Sequence, residues 1–161
     1  MSNIKKSAVF SPCRKYRYSL TRLWNSEKGY VLFIGLNPSI ADEIIDDPTL
    51  IRCINFAKDW GYGGLIMVNL FAYISTDPKE LKNTKIPIGE NNNKHILKNH
   101  QKSQLTVVAW GNDGQFLERD KEVLKIIDNP MCLNINKSGQ PAHPLYQKKD
   151  QELINFNQLV I

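Results

Sequence analysis

Tyr30-Val-Leu-Phe-Ile-Gly-Leu36 is an apolar run with almost no polar alternation, and it passes directly into Asn37-Pro38-Ser39. A strand that is apolar on both sides needs cover on both sides. That pattern marks a buried parallel strand of an α/β protein. Leu65–Leu70 (LIMVNL) and Leu105–Trp110 (LTVVAW) read the same way, and Met131–Asn134 is a shorter fourth candidate. Helical patterns separate these runs. Asp47-Pro48-Thr49 has a capping acid and a first-turn proline, Leu50, Ile51, Ile54 and Ala57 follow at helical spacing, and Gly61 ends the segment. Asp77-Pro78 starts a short second helix, residues 89–101 form a third, and Asp113 or Gly114 to Ile127 a fourth, closed by Asn129-Pro130.

Strand and helix therefore alternate. Right-handed crossovers then build a mostly parallel four-stranded sheet with helices on both faces, a three-layer α/β/α sandwich. Arg17–Trp24 alternates and adds an edge strand, or a hairpin with Ser7–Ser11. No linker or repeat interrupts the chain, so residues 1–161 read as one domain. In sheets of this kind ligands bind beyond the carboxyl ends of the strands, near a switch point.

Composition excludes several classes. Of 161 residues, 42% are hydrophobic and 23% charged, which is too apolar for a disordered chain. Cys13, Cys53 and Cys132 are far apart and odd in number. They predict neither a disulfide framework nor a metal site, and they fit a reducing cytoplasm. No apolar run approaches the ~20 residues of a membrane helix, and MSNIKKSAVFSP, with two lysines but no long apolar core, does not read as a signal peptide. The net charge of +5 suits a polyanionic partner, though solvated faces alone account for such an excess. The cations cluster at Arg14, Lys15, Arg17 and Arg22, among Tyr16 and Tyr18, and again at Lys94, Lys98 and Lys102. Such clusters are either solvated surface or phosphate contacts, for which Arg14, Arg17, Arg22, Lys94, Lys98 and Lys148 are the candidates.

The polar motifs stand where the strands end. Gly35 allows close approach of a ligand, and Pro38 stiffens the turn that presents Asn37 and Ser39. Asn69 closes an apolar strand, where an unsatisfied amide is costly; its donor and acceptor match a nucleobase edge. Trp110-Gly111-Asn112 ends the third strand, and His143 is held between Pro141 and Pro144 near the C-terminus. Each motif has an ordinary reading as a turn or cap. Their shared placement on one rim predicts a single base-binding pocket, with no cofactor.

The series RYSLTRLW (17–24), FIGLNPSIAD (33–42), DDPTLIRC (46–53), WGYGGLIMVNLFAY (60–73), VVAWG (107–111) and GQPAHPLY (139–146) resembles a bacterial and phage domain family of unknown function. More distantly, the layout is similar to the uracil-DNA glycosylase superfamily. The matching positions are Gly35–Ser39, Asn69, Trp110-Gly111 and His143–Tyr146. That resemblance implies a uracil-DNA-glycosylase-like fold and cleavage of an N-glycosidic bond to a modified or deaminated base. By the same resemblance Asn37 positions a water, Asn69 reads the base, and His143 stabilises charge on the departing base. Phe71 or Tyr73 stacks on the base, and Leu145 or Tyr146 wedges into the DNA. Where the most active members carry a carboxylate in the first motif, this chain has Asn37. Asp42, Asp46 and Asp47 follow, either as a substitute base or as a charge cluster at a helix N-terminus. Three readings stay open: a glycosylase acting on DNA, a hydrolase of a free nucleoside or nucleotide, and a catalytically silent nucleotide or DNA binder.

Overall fold

The computed structural model describes residues 3–156. Seven strands form one mixed sheet: β1 (Lys5–Phe10), β2 (Arg17–Leu23), β3 (Tyr30–Gly35), β4 (Gly64–Asn69), β5 (Leu105–Val108), β6 (Met131–Cys132) and β7 (Ile154–Asn155). Their order across the sheet is β1-β2-β4-β3-β5-β6-β7. The neighbouring pairs β4–β3, β3–β5 and β5–β6 are parallel, and β1–β2, β2–β4 and β6–β7 are antiparallel. The expected four-stranded sheet is thus corrected to seven strands. The segment at 131–134 contributes a strand of only two residues, the expected N-terminal hairpin supplies β1 and β2 beyond β4, and β7 is the strand not expected.

Alternation along the strands sorts the core into two layers. Val31, Phe33, Leu65 and Met67 pack beneath the helix α1 (Pro48–Asp59), with Leu50, Cys53, Phe56 and Ala57. Leu32, Ile34, Ile66 and Val68 face the other way. They meet Leu81 of α2 (Pro78–Asn83), Ile96 of α3 (Asn92–Lys102) and Val123 of α4 (Arg119–Leu124). Helix α1 starts as the sequence predicts: the Asp47 side chain accepts from the Leu50 N–H at 2.8 Å, with Pro48 in the first turn. Its buried face differs from the expected one at three positions: Ile51 is exposed, and Cys53 and Phe56 are buried.

The single helix expected over 113–127 is broken. Asn112–Glu118 is a tight 3-10 segment, Leu117 and Glu118 take left-handed conformations (φ 54° each), and only then does α4 begin. The cause is tertiary. Trp110 is buried and lies against Gly114, where a Cβ would lie 2.0 Å from the indole Cδ1. The chain must cross that ring before it can wind again, and propensity loses to packing.

The direction of winding places the cleft. From β3 the chain leaves by one face, through α1, to reach β4. From β5 it leaves by the opposite face, toward α4. The loops after β3 and β5 diverge, and a crevice opens between them at the carboxyl ends of the strands. Among the described residues no helix is long and apolar enough to cross a membrane.

The Trp110–Gly114 contact is testable. Gly114→Ala overpacks the ring and is expected to lower stability by about 1–3 kcal/mol, read as a shifted urea midpoint. An unchanged midpoint would contradict this account of the broken helix.

Candidate functional site

A cleft of about 550 Å³ occupies the crevice. Its floor is Phe33, Met67 and Ala109, and Gly35–Ser39, Asp47, Asn69, Gly111–Asp113 and His143–Pro144 stand around it. Segments more than 100 residues apart in sequence thus meet at one site, with Asn37, Asn69 and His143 all lining it.

Asn69 is buried at the end of β4, at 4% exposure. Its Oδ1 accepts from an Arg17 guanidinium N–H at 3.3 Å. Its Nδ2 lies over Gly35, 2.9 Å from where a Cβ would be. Any other residue at position 35 would push the amide aside, which gives the glycine its physical reason. Strand β2 runs antiparallel to β4, so its first residue, Arg17, arrives beside the carboxyl end of β4. There the Arg17 main-chain N–H bonds Ala72 O at 2.9 Å and its side chain bonds Ala41 O at 2.9 Å. Burial pushes the Arg17 guanidinium down to about 10, against the opposing pull of Asp47. It remains a cation at neutral pH.

Asn37 lines the cleft with its amide nitrogen already engaged. Its Nδ2 donates to three main-chain oxygens, Pro38 O at 3.2 Å, Tyr73 O at 3.2 Å and Ser75 O at 3.0 Å. Three acceptors fix the amide's orientation, because the flipped form would set its oxygen against carbonyls. Asn37 therefore ties the β3 loop to the segment after β4.

The two aspartates separate cleanly. Asp42 turns inward on its own loop, its Oδ1 accepting from Ile44 N at 2.8 Å and Ile45 N at 2.7 Å. Those bonds hold its carboxyl below the usual range. It does not line the cleft. Asp47 does, and its Oδ1 caps α1 while its second oxygen makes no hydrogen bond. Its charge favours the protonated forms of both Arg17 and His143.

His143 caps the 3-10 turn Pro144–Tyr146. Its Nδ1 accepts from the Leu145 N–H at 3.2 Å, so the neutral ring carries its proton on Nε2. Burial lowers its pKa, against the pull of Asp47.

Several expected base contacts lie elsewhere. Phe71 is fully buried in the layer under α3 and packs on Phe116 at 5.4 Å. Tyr73 packs edge-on against Tyr16 at 5.7 Å, outside the cleft. Tyr146 is on the rim at 83% exposure, whereas Leu145 does not line the cleft. Among the expected phosphate contacts, Arg22 is buried, paired with Asp46 at 2.9 Å and bonded to Asp42 O and Ile45 O. Arg14 pairs with Glu43 at 2.9 Å. Lys94 and Lys98 belong to α3, which covers the face opposite α1 and the cleft. Lys148 is exposed and follows Gln147, a cleft residue. Asp113, paired with Lys82 at 3.3 Å, lines the cleft and was not foreseen, because it was read as a plain helix start.

The fold and cleft define an α/β protein with helices on both faces of its sheet and a ligand crevice between the loops after β3 and β5. Residues 17–145 match the family model described as a protein of unknown function, DUF1643, and the chain belongs to that family. The matched span contains Arg17, Asn37, Asp47, Asn69 and His143. No curated protein and no solved structure matches the chain.

Two outcomes follow from this geometry. Asn37→Asp sets a carboxylate against three carbonyls with no donor between them. It is expected to lower stability by about 2–3 kcal/mol and to give no gain in activity, as read by thermal unfolding beside any turnover assay. His143 titrates lower in the fold than its ordinary 6.5, so below about that pH the unfolded chain binds the extra proton first. Stability should fall as pH drops through this window and level off below the folded value. His143→Gln should flatten that part of the curve, and an unaltered pH profile would remove the buried, neutral assignment.

Proposed function

We propose that the cleft binds a nucleobase and hydrolyses its N-glycosidic bond, in the manner of the uracil-DNA glycosylases that the sequence resembles. The observation that carries this reading is that Asn69, His143 and Asp47 line one cleft, each with a polar group that makes no hydrogen bond: Nδ2, Nε2–H and the second carboxylate oxygen. Asn69 holds an acceptor on the base edge. Asp47 takes a proton from the attacking water, whose oxygen forms the new bond to the anomeric carbon. The C–N bond breaks and its electron pair leaves with the base. His143 donates a hydrogen bond to the base as charge develops. Asp47 thus acts as the base, a role the Asn37 amide cannot fill.

The cations favour a small substrate as a second reading. Arg22 and Arg14 are paired, Lys94 and Lys98 sit on the other face, and of the six candidates only buried Arg17 and exposed Lys148 stand at the cleft. A duplex needs free cations flanking its site. The dispersal supports a free nucleoside or nucleotide over DNA.

The test offers the protein oligonucleotides with deaminated or modified bases, and free nucleosides and nucleotides in parallel, and measures released base. Asp47→Asn keeps the helix cap, since Asn caps as well as Asp, yet should cost ~10²–10⁴-fold in turnover. His143→Ala should cost ~10²–10³-fold, more in turnover than in binding. Tight base binding without release by the parent would replace hydrolysis with a binding role. If the parent neither binds nor releases any base, the reading is wrong.

A further inference from the structure

We propose that Arg17 is a positioning residue for the base-reading amide: its buried charge locks Asn69 with Nδ2 toward the cleft and supports negative charge on the base held there. The inference rests on the nucleobase reading above.

The argument starts from what Arg17 touches. It is 4% exposed and lines the cleft. Its side-chain hydrogen bonds go to two neutral oxygens, Ala41 O and Asn69 Oδ1, and its Nε is buried with no partner. The buried arginines of this protein behave otherwise, Arg22 against Asp46 and Arg119 against Glu122. A buried cation without a contacting counter-ion is expensive, and the cost falls when an anion arrives.

The second step is directional. A guanidinium has no acceptor, so only Oδ1 of Asn69 can face it. The amide then has one polar end left, Nδ2, over Gly35. Asn69 is an obligate donor to its ligand. It selects carbonyl or ring-nitrogen acceptors and rejects an exocyclic amine at that position. A donor already polarised by a cation is a stronger donor to an anion. Arg22, Asp42 and Asp47 act on Arg17 electrostatically, and His143 and Asp113 are the other titratable groups on the cleft wall. Of all these, only Arg17 touches the amide.

The experiment needs no turnover. Uracil, 5-fluorouracil and 5-nitrouracil, which ionise at progressively lower pH, are titrated into the whole protein across the range in which each base ionises. Cytosine is the amine control. The parent is expected to bind each ionised base roughly tenfold more tightly than its neutral form, with cytosine weakest. Arg17→Met should lose that preference, and Arg17→Lys should keep part of it. Unfolding curves check that each variant folds; if neither does, the parent series decides by itself. A merely structural arginine would weaken all ligands alike and leave the dependence on ionisation intact. Bases bound without preference for the ionised form, or a preference kept in folded Arg17→Met, overturn the role of Arg17 and leave the nucleobase reading standing. If none of the bases binds, both fall together.

Discussion

Where the strands of a parallel sheet end, the carbonyl groups of the chain beyond them have no ladder partner, and each must find a donor. In this protein side chains supply the donors at the ends of β3 and β4. Asn37 takes the oxygens of Pro38, Tyr73 and Ser75; Asn92 takes those of Asn69 and Leu70; Arg119 takes Leu70 again; and Arg17 takes Ala41. The cleft exists because these loops are held open by such bonds and not collapsed onto one another. Asn92 and Arg119 also fasten α3 and α4 to the end of β4, so the rim is braced from the helices behind it.

The parallel core was legible because its strands are buried on both faces, and burial on both faces leaves an unbroken apolar run. Helix α1 was legible because Asp47 and Pro48 act locally, within one turn. The strand β7 was not: Ile154 and Asn155 are two exposed residues held by two cross-strand partners, and nothing in their sequence differs from a loop. The broken helix near 117 was also invisible, since its cause is the Trp110 ring, close in space but set by the sheet. For the site, position along the strand was readable and side was not. Asn69 shares the α1 side with Leu65 and Met67. Phe71 would share it if β4 continued, but the strand ends at Asn69 and the chain turns Phe71 into the opposite layer.

The same limit explains the arginines. Arg17 and Arg22 stand in one basic strand and look equivalent in sequence. Their fates depend on what lies against β2. It is not an edge: β1 flanks it on one side, β4 on the other, and the 39–47 loop covers it. Arg22 meets a carboxylate and main-chain oxygens of that loop and becomes part of its foundation. Arg17, at the strand's start, reaches only neutral oxygens beside the cleft. A charge count of +5 cannot distinguish these cases, because the loop that decides them is joined to β2 only through the fold.

What separates scaffold from site here is unused valence. Arg22 and one oxygen of Asp42 are spent on the 42–46 loop, and the Asn37 amide nitrogen is spent on main-chain oxygens, so a ligand would have to break a bond to use any of these donors and acceptors. Asn69 Nδ2, His143 Nε2–H and one oxygen of Asp47 have capacity left, and all three line the same walls. Two are donors and one is an acceptor. The complementary ligand, under the proposed reading, has an acceptor edge opposite Asn69, gains charge opposite His143, and leaves room for a water opposite Asp47. An amine-edged ligand would place donor against donor at Asn69, and Arg17 prevents the amide from turning to accommodate it. The discrimination therefore comes from the arginine behind the amide as much as from the amide itself, in the way that removing freedom from a reader sharpens what it reads.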